Sequence, residues 1–316
     1  HSRVLLPYPQ YWAWWLSGVV ASEVSSLGCH THLWSPTAGA PSPLAQRSGW
    51  ADLMAPLQPA WAALGPVRSG LARTGLPPDC QVHVGVHDSN ACLARYLHGG
   101  TAMTLVSTGT WVVVMAPGAS ASALDPARDM LGNVSVRGEL VPTARFMGGR
   151  ELEALCAGAS PTLASVPALR ALLHDDVRAL PSFTTNGGPF VGQVGTVTSG
   201  GRPIAVAGLS AEARATLAAF YCAQVTACLV DKLGAATPLV LEGPFADNPV
   251  YVQALAALLP THAVAISTDP VEGTARGAWL LTRWQAPDLT PTRLHTVQRD
   301  PAMPPLPDHH HRRWWP

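Results

Sequence analysis

Lysine is almost missing from this chain. Among 316 residues it occurs once, as Lys232 in Val230-Asp231-Lys232-Leu233. A Walker-type phosphate loop needs Gly-Lys-Ser/Thr so that an ammonium reaches the nucleotide phosphates. That class is excluded, and any nucleotide chemistry here must hold phosphate without it. An excess of charge of either sign is missing too: 20 basic residues meet 20 acidic ones. A neutral balance argues against a phosphate-coating nucleic-acid binder and against a polybasic membrane adaptor. Disorder goes with low hydrophobicity and high net charge, and a chain with 47% hydrophobic and 13% charged positions does not fit it.

Paired cysteines are absent as well. The six cysteines, at 29, 80, 92, 156, 222 and 228, form no C-x-x-C motif and no dense framework, which fits a reducing compartment and buried, unreactive thiols. No uninterrupted apolar run reaches the roughly 18 residues of a membrane span. The opening residues lack the basic start, apolar middle and cleavage site of a secretory signal. Asn133-Val134-Ser135 is then a glycosylation sequon by chance. The expectation is a cytoplasmic protein with no nucleic-acid or membrane partner.

At roughly 150 residues per domain, the length predicts two domains, each able to bury a core. Tyr11–Leu16 reads as a buried helical stretch stopped at Ser17-Gly18, and residues 35–80 are rich in Pro, Gly and Ala. Gln81–Val86 reads as a strand, followed by helix-start residues and a helix over Ala91–Leu97 that Gly99-Gly100 breaks. Two strands joined by a tight turn follow, Thr104–Val106 and Trp111–Met115, and a domain boundary is placed near 102. A strand at Thr143–Met147 leads into a helix opened by Gly148-Gly149. Residues 159–204 read as loop-rich, with Asn186-Gly187-Gly188-Pro189 the strongest turn signal. The longest helix spans Leu209–Leu233, with apolar positions at spacings of three and four. Strand 238–242, helix 250–259, strand 263–266 and helix 271–284 complete an α/β alternation, and the tail beyond Pro287 reads as loop.

Four features could carry chemistry. In Val86-His87-Asp88-Ser89, a carboxylate sits just past an apolar strand, at a helix start, where open α/β sheets hold ligands. Asp88 is either a helix cap or a general base within reach of a substrate hydroxyl. In Thr108-Gly109-Thr110, a glycine between two hydroxyls forms an ordinary hairpin or converges N–H groups on an anion. Gly148-Gly149 opens a helix whose free N–H groups favour phosphate, and a plain strand-to-helix turn explains it equally well. Gly243–Asn248 joins a strand to a helix and could receive a nucleotide. Cys29-His30-Thr31-His32 and His309–His311 supply no closed tetrahedral set for zinc, so no metal site is assigned.

The order of these features resembles the FGGY family of carbohydrate kinases. Pro9-Gln10-Tyr11 with Leu16-Ser17-Gly18 and Glu23 is similar to the family's Pro-x-Asp-Tyr…Leu-Thr-Gly…Glu stretch, Gln10 standing for the usual Asp. Val86-His87-Asp88-Ser89 resembles the catalytic-base motif in its rhamnulokinase form. Ser107-Thr108-Gly109-Thr110-Trp111 resembles the second phosphate loop, with Thr110 lying 22 positions after Asp88. Gly148 and Gly149 fall where the family has nucleotide-contacting glycines. Gly243, Asn248 and Gln253 match the adenosine motif, with Pro244 in the place of its second glycine and Phe245 beside the adenine site. Glu272–Ala278 resembles the final helix, so the resemblance runs from residue 7 to about 284.

What the resemblance implies is transfer of the γ-phosphoryl group of ATP, with Mg²⁺, to a sugar hydroxyl, by two ribonuclease-H-like domains that close and expel water. Asp88 would be the catalytic base. His87, Gln10 and Tyr11 would contact the sugar, and Thr108, Gly109, Thr110, Gly148, Gly149, Gly243, Pro244, Phe245 and Asn248 the nucleotide, Phe245 by stacking. The His-Asp form tilts the substrate towards L-rhamnulose, L-fuculose or a related ketose. The implied domains are 1–102 on the sugar side and 103–288 on the nucleotide side, with a tail at 289–316 and a homodimer among the assemblies permitted. The family's opening Asp-x-Gly-Thr loop has no match, and the first residue is histidine, so the chain is expected to begin partway through the first domain. Two alternatives compete: a catalytically inactive sugar- or nucleotide-binding homologue, and a metal-dependent phosphohydrolase. The latter needs further His and Asp ligands on surrounding helices, and the position of His87-Asp88 after a strand argues against it.

Overall fold

The computed structural model describes residues 3–29, 31–98, 102–268, 273–286 and 292–306. Gly99, Gly100, His30, Glu272 and His309–His311 lie outside them. By their contacts the residues divide into two units. One is His1–Thr101 with Gly132–Val141 and Asp269–Thr292; the other is Ala102–Leu131 with Pro142–Thr268 and Arg293–Pro316. The sequence reading drew single boundaries at 102 and 288, whereas two later segments group with the first unit. Asn133 gives the physical reason for one of them: its Oδ1 accepts from Cys29 Sγ and from Asn90 Nδ2, the latter at 3.2 Å.

In the first unit, helix α1 (Tyr8–Ser17) ends at Gly18, whose N–H bonds Trp14 C=O. The aromatic run was expected to be buried, but α1 buries only Gln10 and Ala13 and leaves Tyr8, Tyr11, Trp12 and Trp15 exposed. Strand β1 (Gln81–His83) pairs antiparallel with Ala63–Pro66 and runs into helix α2 (Asp88–Leu97).

The second unit is built on strand β2 (Thr104–Thr108) and strand β3 (Val112–Met115), with the start of strand β4 (Met130–Val134) and strand β5 (Leu140–Phe146) from Pro142 onward. Helix α3 (Gly148–Cys156), helix α4 (Ala211–Leu233), strand β6 (Leu239–Glu242), helix α5 (Pro249–Leu258) and strand β7 (Val264–Ser267) follow. Helix α6 (Gly273–Leu281) returns to the first unit, and strand β8 (Leu294–Thr296) to the second. The seven-stranded sheet has the order β8-β7-β6-β2-β3-β5-β4, with β2, β6 and β7 mutually parallel and β3 antiparallel to β2. A strand such as Leu239–Glu242, apolar through Leu241 and buried at every position, is what a parallel centre covered on both faces requires.

In the first unit α6 lies on α2 because residue 277 is glycine: a Cβ there would sit 1.7 Å from the Ala91 carbonyl oxygen. Helix α4 forms the core of the second unit. The Ser210 hydroxyl caps it by accepting from Ala213 N–H, Gly234 ends it in the left-handed conformation, and its side chains from Ala215 to Val230 are all buried. It is the one described helix long and apolar enough to cross a membrane, and 89% of its apolar window is buried inside the protein. A helix that is apolar all round and covered on every side is a core helix.

A region read as loop-rich and a tail read as loop both carry regular elements. Residues 159–204 hold a helix, Val166–His174, started by the Ser165 cap, and a sheet of Val177–Leu180, Thr196–Ser199 and Arg202–Pro203. The tail contributes β8, antiparallel to β7. The Gln253 amide fastens it by donating to Gln298 C=O (3.0 Å) and accepting from Asp300 N–H (2.9 Å). This motif glutamine therefore spends its side chain on the chain's own backbone.

Candidate functional site

Three segments of the second unit converge through close backbone approaches. The Thr108 hydroxyl, at the end of β2, donates to Glu242 C=O (2.6 Å) and accepts from Phe245 N–H (3.1 Å). It clamps the loop after β6 onto the β2–β3 turn. Gly243 makes the clamp possible: with φ +84° and ψ −173°, a Cβ would lie 1.9 Å from the Thr108 carbonyl oxygen. On the other side of the turn, Gly149 N–H donates to Thr110 C=O (3.2 Å), and a Cβ on Gly149 would approach Gly109 O to 2.6 Å. Gly148 is packed against Val112 and Phe146. The turn, the N-terminus of α3 and the loop at 243–245 thus form one cradle of backbone, open at Gly109 and at the exposed Thr110.

That geometry reassigns several side chains. Thr108 is buried with its hydroxyl committed to the clamp. Phe245 is no stacking platform: its ring is buried in the core, edge-on to Tyr251 with centroids 5.1 Å apart, and its N–H is held by Thr108. Pro244 opens a short 3₁₀ turn, a position that tolerates a missing N–H. Asn248 caps α5, its Oδ1 accepting from Val250 and Tyr251 N–H at 3.1 Å each while its Nδ2 donates to Pro161 C=O.

Sequence reasoning missed Glu151, one turn into α3. Only 2% exposed, it accepts from the Tyr221 hydroxyl, from Phe183 N–H (3.2 Å) and from Ser182 Oγ (3.3 Å). Burial pushes its carboxyl above the usual range, while these donors, Tyr221 foremost, pull it back. A raised carboxyl contributes stability that is present in acid and lost as pH rises through the folded-state value. Glu151→Gln does not titrate, and its amide N–H₂ faces donors, a mismatch worth about 1–3 kcal/mol. The melting-temperature advantage of the native protein over Glu151→Gln is therefore expected to be widest at acidic pH and to narrow towards neutrality. A gap that widens with pH contradicts this account.

Trp111, the last residue of the turn, is also held from outside its own segment. The Arg145 guanidinium lies over its ring at 4.6 Å and meets Asp129 at 3.4 Å, and Asp129 Oδ2 accepts from Gly188 N–H at 2.7 Å.

In the first unit, β1 delivers Asp88 to the first position of α2. His87 is the N-cap residue but makes no side-chain cap bond, and among the described residues the Asp88 carboxylate reaches only its neighbours: Ser89 N–H at 2.6 Å, Ser89 Oγ at 3.3 Å and His87 Nδ1 at 3.3 Å. Its side chain is 76% exposed. The simple capping reading does not account for it, since a cap bonds N–H groups two or three residues on. Below it, Asn90 ties the helix start to Cys29 and Asn133. Burial pushes the Cys29 thiol up to about 12, so it stays protonated and donates to Asn133. Gln10 is buried against the chain leading to Asp88, with Nε2 donating to the Val84 and Gly85 carbonyls, whereas its neighbour Tyr11 is exposed.

Comparison with known proteins bears on both units. A family model described as "Carbohydrate kinase FGGY, C-terminal domain" matches residues 100–291. No curated protein matches the chain. Among solved structures, a carbohydrate kinase from Novosphingobium aromaticivorans is 36% identical with a TM-score of 0.81, over 99% of this chain and 68% of that one. A xylulose kinase from Rhodospirillum rubrum is similar in fold (TM-score 0.68, 17% identity, 99% of this chain, 65% of that one). So is a gluconate kinase from Lactobacillus acidophilus (TM-score 0.69, 9% identity, 97% and 65%). The chain spans about two thirds of the length of these structures. The family match covers more than half of the chain, and the first of these structures is similar across almost all of it: the protein belongs to the FGGY family of carbohydrate kinases.

Proposed function

We propose that the full-length protein transfers the γ-phosphoryl group of ATP to a hydroxyl of a sugar, with Asp88 as the general base. The observation that carries this reading is an exposed carboxylate at a helix start, not consumed by capping, in a chain whose other unit builds a backbone cradle from Thr108–Thr110, Gly148-Gly149 and Gly243. Asp88 accepts the proton of the attacking hydroxyl, beside the His87 ring, whose Nδ1 lies 3.3 Å from the carboxylate. Gly109 and Thr110 supply the open part of the cradle for phosphate oxygens, and the N-terminus of α3 adds its dipole. Positioning and charge stabilisation supply most of the rate in such transfers. The second unit is read as a ribonuclease-H-like domain of the actin and hexokinase type, and the first as part of another.

Among the described residues no cluster of three or more His, Cys, Asp or Glu could hold a metal ion. The Mg²⁺ that the family resemblance implies is read as part of the nucleotide substrate, where it would neutralise charge on the phosphates. The favoured substrate class is a deoxyketohexose such as L-rhamnulose or L-fuculose, on the strength of the His87-Asp88 pair.

The test is ADP release by the full-length protein with Mg·ATP and a panel of L-rhamnulose, L-fuculose, D-xylulose, gluconate and glycerol. A ketose is expected to raise ADP release well above the sugar-free rate. A second reading, a sugar- and nucleotide-binding homologue without turnover, is favoured by the loop at 243–248, where Phe245 and Asn248 are spent on internal contacts. Calorimetric binding of sugar and ATP with no ADP release would establish it in place of the first.

A further inference from the structure

The side chain of Gln10 bonds to no group near the carboxylate, yet it holds the chain that carries it. It is 1% exposed on the face that α1 turns inward. Its Nε2 donates to two consecutive carbonyls, Val84 at 3.2 Å and Gly85 at 3.3 Å. These residues lie between the end of β1 and Asp88, where Val84 N–H to Ala62 C=O is the last bond of the strand pair. Gly85 takes φ +88°, and a Cβ there would come within 3.4 Å of Pro9 Cβ and 3.7 Å of Gln10 Nε2. The first turn of α1 thus lies beside the bend that leads into α2. The Gln10 Oε1 atom is buried with no hydrogen-bond partner. An unsatisfied buried acceptor is a cost, tolerated here by a side chain whose donor end is fully engaged.

We propose that Gln10 is a positioning residue: its carboxamide N–H₂ braces the 84–85 bend and so fixes the direction from which Asp88 meets the substrate hydroxyl. This rests on the reading of Asp88 as base. It differs from a sugar-contacting role for Gln10, because both donors of the amide are taken by backbone. Only an amide of this length serves: a carboxylate of the same size presents acceptors to two carbonyls, and a shorter amide falls short of them.

The discriminating measurement is the coupling ratio, sugar phosphate formed per ADP released, in the full-length protein. A base held in the wrong direction slows transfer to the sugar while transfer to water continues, so the ratio falls. A smaller folded fraction lowers both products together and leaves the ratio unchanged. Gln10→Glu is expected to lower the kcat for sugar phosphorylation about 10–100-fold, less than the roughly 10²–10⁴ that a positioned base contributes in all, and to drop the ratio well below the native value. Gln10→Asn, with donors on a shorter arm, should give an intermediate ratio. Gly85→Ala, which strains the same bend through its positive φ, should reproduce the drop if Gln10→Glu does not fold. A native coupling ratio in these variants overturns the proposal. If the native protein is active and Asp88→Asn is not, such a result removes Gln10 alone; if no sugar raises ADP release by the native protein, the reading of Asp88 as base falls first.

Discussion

Asp88→Asn in the full-length protein is expected to reduce sugar phosphorylation by about 10²–10⁴-fold, the range a positioned general base contributes, while ATP affinity stays within a few-fold. The substitution is nearly isosteric and the site forgiving. The carboxylate is 76% exposed and accepts Ser89 N–H through one oxygen, a bond that an Asn side-chain oxygen retains. Asn90, two positions on, anchors the helix start through Cys29 and Asn133 independently of residue 88. The variant should fold and melt like the native protein, so a lost rate reports lost proton acceptance. Steady-state kinetics with a responsive ketose, alongside calorimetry with ATP, gives both numbers. Turnover close to native would mean that the proton goes elsewhere, and the assignment of Asp88 would have to be abandoned.

What could be seen beforehand, and what could not, follows from how far apart in the chain the interacting groups lie. The placement of Asp88 at a helix start was legible because it is local: an apolar strand, a carboxylate and a helix start fall within ten residues. The turn at Ser107–Trp111 and the glycine pair at 148–149 were legible for the same reason. The job of Thr108 was not, because both partners of its hydroxyl, Glu242 and Phe245, lie more than 130 residues away. A side chain that looked free to bind phosphate is used to join two loops. Phe245 failed in the same way: beside an adenosine-like motif it suggested a stacking platform, but Tyr251 and the core claim its ring. Glu151 left no mark in the sequence, since its donors come from residues 182–184 and from Tyr221 on α4. The helix at Val166–His174 was hidden by Pro167, which suits the first turn of a helix but in a Pro- and Gly-rich stretch reads as a breaker. Strand β8 has no periodic pattern of its own and exists because β7 offers it an edge.

The second large effect is expected at Gly243. In Gly243→Ala, two penalties add. The backbone has φ +84° and ψ −173°, a region that is essentially glycine-only and costs about 1–3 kcal/mol for other residues. The new Cβ would also meet the Thr108 carbonyl oxygen at 1.9 Å and carbon at 2.9 Å, backbone atoms of the central strand β2 that cannot turn aside as a flexible side chain can. Relief requires the loop at 243–245 to lift, which breaks the Phe245 N–H bond to Thr108 and draws the Phe245 ring out of its packing on Tyr251. A loss of about 3 kcal/mol or more is expected, seen as a fall of about 6–12 °C in the melting temperature of a unit this size. Gly201→Ala isolates the conformational part. Gly201 has φ +77° but nothing within 4 Å of the added Cβ, so about 1 kcal/mol is expected there, typical of a non-glycine residue forced into the left-handed region. If the two variants melt together, the close approach at Thr108 is not what holds the cradle. If Gly243→Ala melts far lower and its ATP affinity falls while sugar affinity does not, then the cradle that closes the second unit is also the part of the protein that receives the nucleotide.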